Sequence, residues 1–138
     1  MKTNLAFLFF LPLLFLLISP QTTLSEEIIN EVYLLERHDK ILAFSGLKNN
    51  WFEKKLHTDE TVVKSIYDGN VAVAYTSERA FAFSGITGRW SEERFRIRES
   101  VISISAEGNV GTIITNIRAL GFSSKTGVWV ESLFNLGE

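Results

Sequence analysis

The chain of 138 residues contains no cysteine and only two histidines. The lack of cysteine excludes disulfides, thiolate metal sites and a thiol for lipid attachment. The histidines, His38 and His57, form no His-x-x-x-His pattern, so neither points to a metal site. The sequence also contains no nucleophile elbow and no phosphate-binding loop. We therefore assign no catalytic residue, no metal and no cofactor.

Positive charge is also scarce. Fourteen Lys and Arg residues stand against sixteen Asp and Glu residues, so the formal net charge is −2. A mildly acidic chain lacks the basic surface that nucleic-acid binding requires. The composition therefore excludes nucleic acid as an expected partner.

Long apolar runs are absent except near the N-terminus. Residues 5–18 form an almost unbroken Leu/Phe run, which Lys2 precedes and small polar residues follow. The run is shorter than the roughly 20 apolar residues that a membrane span needs. A charged start, a short apolar run and small residues before a cut are typical of a secretory signal peptide. We predict that residues 1–25 are this leader, with cleavage near Ser25.

The predicted leader implies export, to the periplasm or the medium. The alternative is an uncleaved N-terminal anchor, because Pro12 lies within the run and no Ala-x-Ala site follows it. An exported protein without disulfides depends on its core for stability, which suits a bacterial cell envelope. Residues 26–138 are the predicted domain, and loss of Lys2 with the leader takes the net charge to −3.

What the chain does contain is a pattern that recurs every 39 residues. A period of this length indicates units that bury their apolar faces by stacking on one another. Counted from Thr22, three equal blocks cover residues 22–60, 61–99 and 100–138. The recurring positions are Phe44, Phe83 and Phe122; Trp51, Trp90 and Trp129; Lys40, Arg79 and Arg118; Glu53, Glu92 and Glu131; and Glu60, Glu99 and Glu138.

Short segments that alternate in side-chain size predict β-strands throughout the domain. In the middle block they cover residues 71–76, 80–84 and 89–95, and a further run covers residues 101–105. Gly, Ser and Asn residues bound these segments, and helical periodicity is missing. Corresponding segments cover residues 110–115, 119–122 and 128–134, and residues 31–35, 41–44 and 51–56. We predict an all-β protein with four strands per repeat, each block beginning with a strand such as residues 62–66.

Two folds use about forty residues and four strands per unit: the β-propeller and the β-trefoil. The strand residues that alternate with Val and Phe are mainly Ala, Gly and Ser, without charge in residues 71–76 or 80–84. A strand with both faces buried needs small or apolar residues on both, whereas a barrel strand with one wet face carries charge there. This pattern favours propeller-like blades, with the β-trefoil as the alternative.

The segments 82–90 and 121–129 carry a resemblance to known propellers. Each has an alternating strand that enters a small-residue turn with Thr-Gly and then reaches Trp90 or Trp129. The pattern resembles blades of kelch and quinoprotein-like β-propellers. The paired glycines of kelch units are missing, and Ser84 and Ser123 replace the aspartate of the quinoprotein turn. The resemblance therefore implies a fold and no cofactor.

The repeated charged and aromatic residues have two interpretations each. Lys40, Arg79 and Arg118 are the candidate ligand-binding residues, as an anion site along one face. The other interpretation is one cross-strand ion pair per repeat, with the glutamates at positions 53, 92 and 131. The three tryptophans are candidates for a ligand platform, but residues that recur in every repeat more often serve packing.

From these patterns we predict a non-enzymatic module that binds a protein or another ligand. Three blades do not close a ring, and we expect a homo-oligomer, most simply two chains that complete a six-bladed ring. The chain is alternatively a fragment of a longer propeller. Two other functions stay open. One is an enzyme acting on a sugar or similar small molecule at the propeller centre, near Glu31, Asn70 and Asn109. The other is a lectin-like β-trefoil.

Overall fold

The computed structural model describes residues 29–135, which form eleven β-strands in three antiparallel sheets and contain no helix. The all-β prediction is therefore confirmed. In the same residues, no helix is long and apolar enough to cross a membrane. The predicted leader, residues 1–25, and Glu138 lie outside the described residues.

Each sheet is a meander of strands that follow one another along the chain. Sheet I has the order β1-β2-β3, sheet II β4-β5-β6-β7 and sheet III β8-β9-β10-β11. The bounds of the strands are β1 Val32–Glu36, β2 Lys40–Ser45, β3 Asn50–Lys55, β4 Lys64–Asp68, β5 Val71–Tyr75, β6 Arg79–Ser84, β7 Arg89–Arg94, β8 Val101–Glu107, β9 Val110–Thr115, β10 Arg118–Ser123 and β11 Val128–Leu133.

The strands lie where the alternating segments predict them, with shifts of one or two residues at their ends. Strands β2, β6 and β10 each begin one residue early, at Lys40, Arg79 and Arg118, because these residues already pair with the next strand. Strand β4 begins at Lys64, two residues later than predicted. In the described part of the chain, sheet I has three strands and sheets II and III have four.

The sheets pack face to face, with sheet II in the middle. One core layer joins sheets I and II around Val32, Ile41, Phe81 and Phe83, and a second joins sheets II and III around Val71, Val73, Ile113, Leu120 and Phe122. Strand β6 is buried along its whole length. Both faces of sheet II are therefore interior, which explains why its strands alternate Val and Phe with alanine.

Glycine allows the sheets to approach most closely at one turn. Gly69 lies between β4 and β5 with a φ of +53°, and a Cβ there would lie 2.7 Å from the Cα of Gly108. The turn also carries backbone hydrogen bonds between sheets, from Asn70 N to Gly108 O (2.7 Å) and from Glu31 N to Gly69 O (2.8 Å). A side chain at Gly69 would separate the two turns.

Candidate functional site

The three candidate basic residues occupy the same place in each sheet, at the start of the strand that precedes and pairs with the Trp-bearing strand. Each lies beside a glutamate on the next strand. Lys40 Nζ lies 3.0 Å from Glu53 Oε2, and Arg118 Nη1 lies 2.6 Å from Glu131 Oε2. Arg79 Nη1 donates to Glu92 in the same way. The cross-strand ion pair expected from the sequence is thus present in all three sheets.

Two of these basic residues also bind a second, buried carboxylate. Arg79 donates through Nε and Nη2 to Glu60, at 2.9 and 2.8 Å, and the Glu60 side chain is fully buried. Arg118 makes the same two-point contact with Glu99, at 2.7 and 3.1 Å. A paired fork of this kind is stronger and more directional than a single contact.

The sequence contained the signal for these buried pairs. Glu60 and Glu99 recur 39 residues apart, as Arg79 and Arg118 do, but sequence reasoning gave the two glutamates no partner. Each glutamate lies in the loop that joins two sheets and reaches an arginine of the following sheet. The contact depends on how the loop between two sheets packs against the second of them, so residue spacing within a hairpin does not reveal it.

The arginines also bind the backbone of the preceding sheet. Arg79 Nη2 donates to Lys55 O (3.1 Å) and Arg118 Nη2 to Arg94 O (2.9 Å). Lys55 and Arg94 end β3 and β7, so each arginine crosses from one sheet to another. These residues therefore hold neighbouring sheets together as well as neighbouring strands.

Electrostatics in these clusters favour the charged forms. Burial alone would raise the pKa of Glu60, but hydrogen bonds from Arg79, the His57 backbone and Thr76 outweigh it and lower the pKa from 4.5 to about 2. Burial alone would also raise the pKa of Glu99, but hydrogen bonds from Arg118, the Arg96 backbone and Thr115, with the charge of Arg118, together lower it. Each buried arginine and its glutamate are therefore ionised at neutral pH.

This arrangement bears on anion binding. Nε, Nη1 and Nη2 of Arg79 each donate to a protein oxygen, and so do the same atoms of Arg118. Lys40 is more exposed, but its ammonium group also lies beside a carboxylate. An anion would have to displace a glutamate at each position. The geometry favours structural ion pairs, and ligand binding by these residues stays a prediction.

The tryptophans do not form one common platform. In every sheet the tryptophan ring packs on the phenylalanine of the neighbouring strand, with ring centroids 5.2–5.3 Å apart. Trp90 is half-buried between sheets I and II and donates from Nε1 to Phe52 O (3.2 Å), and Trp129 packs between sheets II and III. Trp51, in sheet I, is 47% exposed. Two of the three thus serve packing, as favoured from the sequence.

Polar residues meet at the turns where the sheets approach. Asn70 Nδ2 donates to Asn109 Oδ1 (3.0 Å), and Ser124 Oγ donates to the same oxygen (2.9 Å). Asn70 Oδ1 is buried and has no hydrogen-bond partner among the described residues. Glu31 takes the corresponding place in sheet I. The structure thus aligns the three residues proposed for a central site along one edge of the stack.

A cluster of possible metal ligands lies at the other edge of the stack, in the loops that follow β3 and β5. His57 Nδ1 lies 2.9 Å from a carboxylate oxygen of Glu78 and 3.5 Å from one of Glu60. Both oxygens of Glu60, however, already accept hydrogen bonds from Arg79. A cation here would compete with a buried arginine for the same carboxylate.

The two ends of the stack expose apolar side chains that no neighbouring sheet covers in the described part of the chain. Alternation along the strands places five apolar side chains on the outer face of sheet I. Within residues 29–135 no further sheet stacks on this face, although the Tyr33 ring meets Tyr67 of sheet II edge-on at 5.5 Å; we call it the terminal face of sheet I. Its apolar members are Tyr33, Leu35, Leu42, Phe44 and Trp51, and the ion pair of Lys40 and Glu53 lies on the same face.

The outer face of sheet III exposes three valines among small and polar side chains. Val110, Val128 and Val130 are 51%, 53% and 69% exposed, and they border a shallow depression of about 250 Å³. A Cβ at Gly121 would meet no atom closer than 4.0 Å. We call this surface the terminal face of sheet III. Its members are Val110, Thr112, Gly121, Ser123, Val128 and Val130.

Comparison with known proteins gives no family for this chain. No protein-family model matches it, and no curated protein matches it.

Proposed function

We propose that this chain is an exported, non-enzymatic interaction module of three propeller-type blades that binds a protein partner through its two terminal faces. The observation that carries the proposal is that both terminal faces expose several large apolar side chains and that no further sheet stacks on either face in the described part of the chain. Contiguous exposed apolar surface on an otherwise well-packed domain is typical of a protein-binding site. Export is inferred from the leader sequence, residues 1–25.

The arrangement of the sheets supports blades over a trefoil. Each described sheet is a separate antiparallel meander, and each packs on the sheet that follows it in the chain. Propeller blades have this relation, whereas a trefoil combines strands of its three units into one barrel. The lectin-like alternative is correspondingly less well supported.

The distribution of charge supports a non-enzymatic role. Active sites commonly hold ionisable groups with perturbed pKa values in a cleft. Here the buried ionisable groups Glu60, Arg79, Glu99 and Arg118 neutralise one another between sheets. Their perturbed pKa values follow from structural pairing.

The experiment is site-specific photo-crosslinking of the full chain in its own host. A photoreactive residue replaces Tyr33 on one terminal face, Val128 on the other, or Ile97 as the control. Ile97 is 93% exposed but lies in the loop between β7 and β8. We expect adducts of discrete mass at positions 33 and 128 and none at 97. Absence of adducts from both faces would overturn the proposal.

The second candidate function is binding of a small polar molecule beside Asn70 and Asn109. The observation in its favour is the buried Asn70 Oδ1 without a partner, since such an atom is costly unless a ligand or water satisfies it. Titration with simple sugars should then shift the side-chain amide NMR signals of both asparagines. Unchanged amide signals across a panel of mono- and disaccharides would exclude sugar as the ligand.

A further inference from the structure

The contacts between neighbouring sheets repeat with the same 39-residue translation as the sequence. Ser45 Oγ donates to Gly85 O (2.6 Å) from sheet I to sheet II, and Ser84 Oγ donates to Ser124 O from sheet II to sheet III. Both joints in the stack thus use one pair of groups: a serine at the end of a strand in one sheet, and a carbonyl in the corresponding turn of the next sheet.

The terminal faces carry the unused halves of this contact. Ser123 is the corresponding serine of sheet III. Among residues 29–135, its hydroxyl accepts a hydrogen bond from Lys125 N but donates none to a carbonyl of another sheet. The corresponding carbonyl of sheet I belongs to Gly46, which is exposed. If a second copy continued the stack beyond sheet III, its sheet I would repeat the same contact, with Ser123 Oγ of the first copy against Gly46 O of the second.

The cationic contact between sheets extends in the same way. Arg79 and Arg118 each donate to the last residue of the preceding sheet's outer strand, Lys55 O or Arg94 O. Lys40 is the corresponding residue of sheet I, and Leu133 ends the outer strand of sheet III. In the same continuation of the stack, Lys40 Nζ of one copy would donate to Leu133 O of another.

The side-chain sizes on the two faces are also complementary. Gly111 in sheet III packs under Val71 and Val73 of sheet II. Its counterpart in sheet I is the much larger Tyr33, which would face Val110 and Thr112 of another copy.

The terminal face of sheet III has room for that ring. Gly121 pairs with Thr112 across β9 and β10 and leaves space above the sheet, in the depression that Val110, Val128 and Val130 border. The large Tyr33 ring on the terminal face of sheet I thus fits the open space above Gly121 on the terminal face of sheet III.

We propose that two copies of this chain associate head to tail, with the terminal face of sheet III in each copy on the terminal face of sheet I in the other. The inference rests on the proposed function and names the partner of those faces. Two such joints produce six stacked sheets and leave neither face uncovered. Each joint brings different surfaces of the two copies together, and the two joints are related by the two-fold axis of the dimer.

The test uses one charged substitution on each face, with the protein purified from its host. Trp51→Glu alters the terminal face of sheet I and Val130→Glu that of sheet III; both side chains are well exposed in the single chain. Light scattering should give twice the chain mass for the unaltered protein and the single-chain mass for each variant. Ile97→Glu, in the loop between β7 and β8, should keep the double mass.

Mixing the two variants distinguishes head-to-tail from like-to-like pairing. In a 1:1 mixture, the unaltered face of each variant meets the unaltered face of the other, so the double mass returns with weaker affinity. If like faces paired, one variant alone would keep the double mass and the mixture would add no mixed dimer. That result overturns the proposal, as does a single-chain mass or a longer polymer for the unaltered protein.

The crosslinking experiment keeps the two proposals separate. Adducts at positions 33 and 128 that match two chains in mass support both. Adducts of another mass, together with a monomer in light scattering, overturn the self-association and leave the interaction module standing. Absence of adducts from both faces overturns both.

Discussion

Val71 and Val110 occupy the same place in sheets II and III, yet the first is 0% exposed and the second 51% exposed. Each is the first residue of its strand, β5 or β9, and the two lie 39 residues apart. They differ because sheet III packs on the outer side of Val71, while no described sheet packs on that side of Val110. Burial in this protein therefore depends on the neighbouring sheet more than on the strand's own sequence.

The largest expected effect comes from a charge placed at these two positions. Val71→Asp would bury an unpaired carboxylate between sheets II and III, which costs more than about 5 kcal/mol and unfolds the chain. Val110→Asp leaves the carboxylate on an open face and should preserve the β-sheet circular dichroism. Equal loss of that signal in both variants would contradict the comparison.

The next largest effect is the difference in stability between losing a buried ion pair and losing an exposed one. Arg118→Met leaves the buried carboxylate of Glu99 without its partner, for an expected loss of about 3–5 kcal/mol in the free energy of unfolding. Lys40→Met breaks the exposed pair with Glu53 and should cost about 0–1 kcal/mol. Urea unfolding of the two variants measures the difference. Similar losses would mean that Lys40 is as buried in solution as Arg118.

Acid should weaken the buried pairs in a defined pH range. The pKa of Glu60 is about 2 in the folded chain and about 4.5 when unfolded, so the unfolded chain takes up the proton first as the pH falls. The stabilisation is complete above the unfolded pKa and is lost by about pH 2. Its size is about 3 kcal/mol. Glu60→Gln should be less stable at neutral pH and should lose this part of the pH dependence, as urea midpoints measured down the pH range would show.

The smallest effect concerns two tryptophans. Trp90→Phe removes the hydrogen bond from Nε1 to Phe52 O, so we expect a loss of about 1 kcal/mol in the free energy of unfolding. Trp51→Phe should have almost no effect on the single chain, because Trp51 lies on the open terminal face of sheet I. Thermal unfolding of the two variants at low concentration measures this difference. A larger loss for Trp51→Phe would show that its face is covered.

Sequence reasoning located the strands well, because alternation and turn residues are local signals. It also placed Arg79 beside Glu92, since both belong to one hairpin. It did not connect Glu60 with Arg79, because that contact depends on how a loop of one sheet meets the next. It also could not distinguish Val71 from Val110: the residue types are identical, and only the packing of the sheets separates them.

The serine and tryptophan contacts between the sheets have a consequence for how the chain folds. Ser45 and Gly85 are 40 residues apart, and Phe52 and Trp90 are 38 apart, whereas strand pairing within a sheet joins close neighbours in the chain. Nearby contacts close small loops and form sooner than distant ones. Each meander can therefore form as soon as its own segment has left the ribosome. The next sheet can then pack on one that has already formed, so we expect the three sheets to assemble in the order in which they are synthesised.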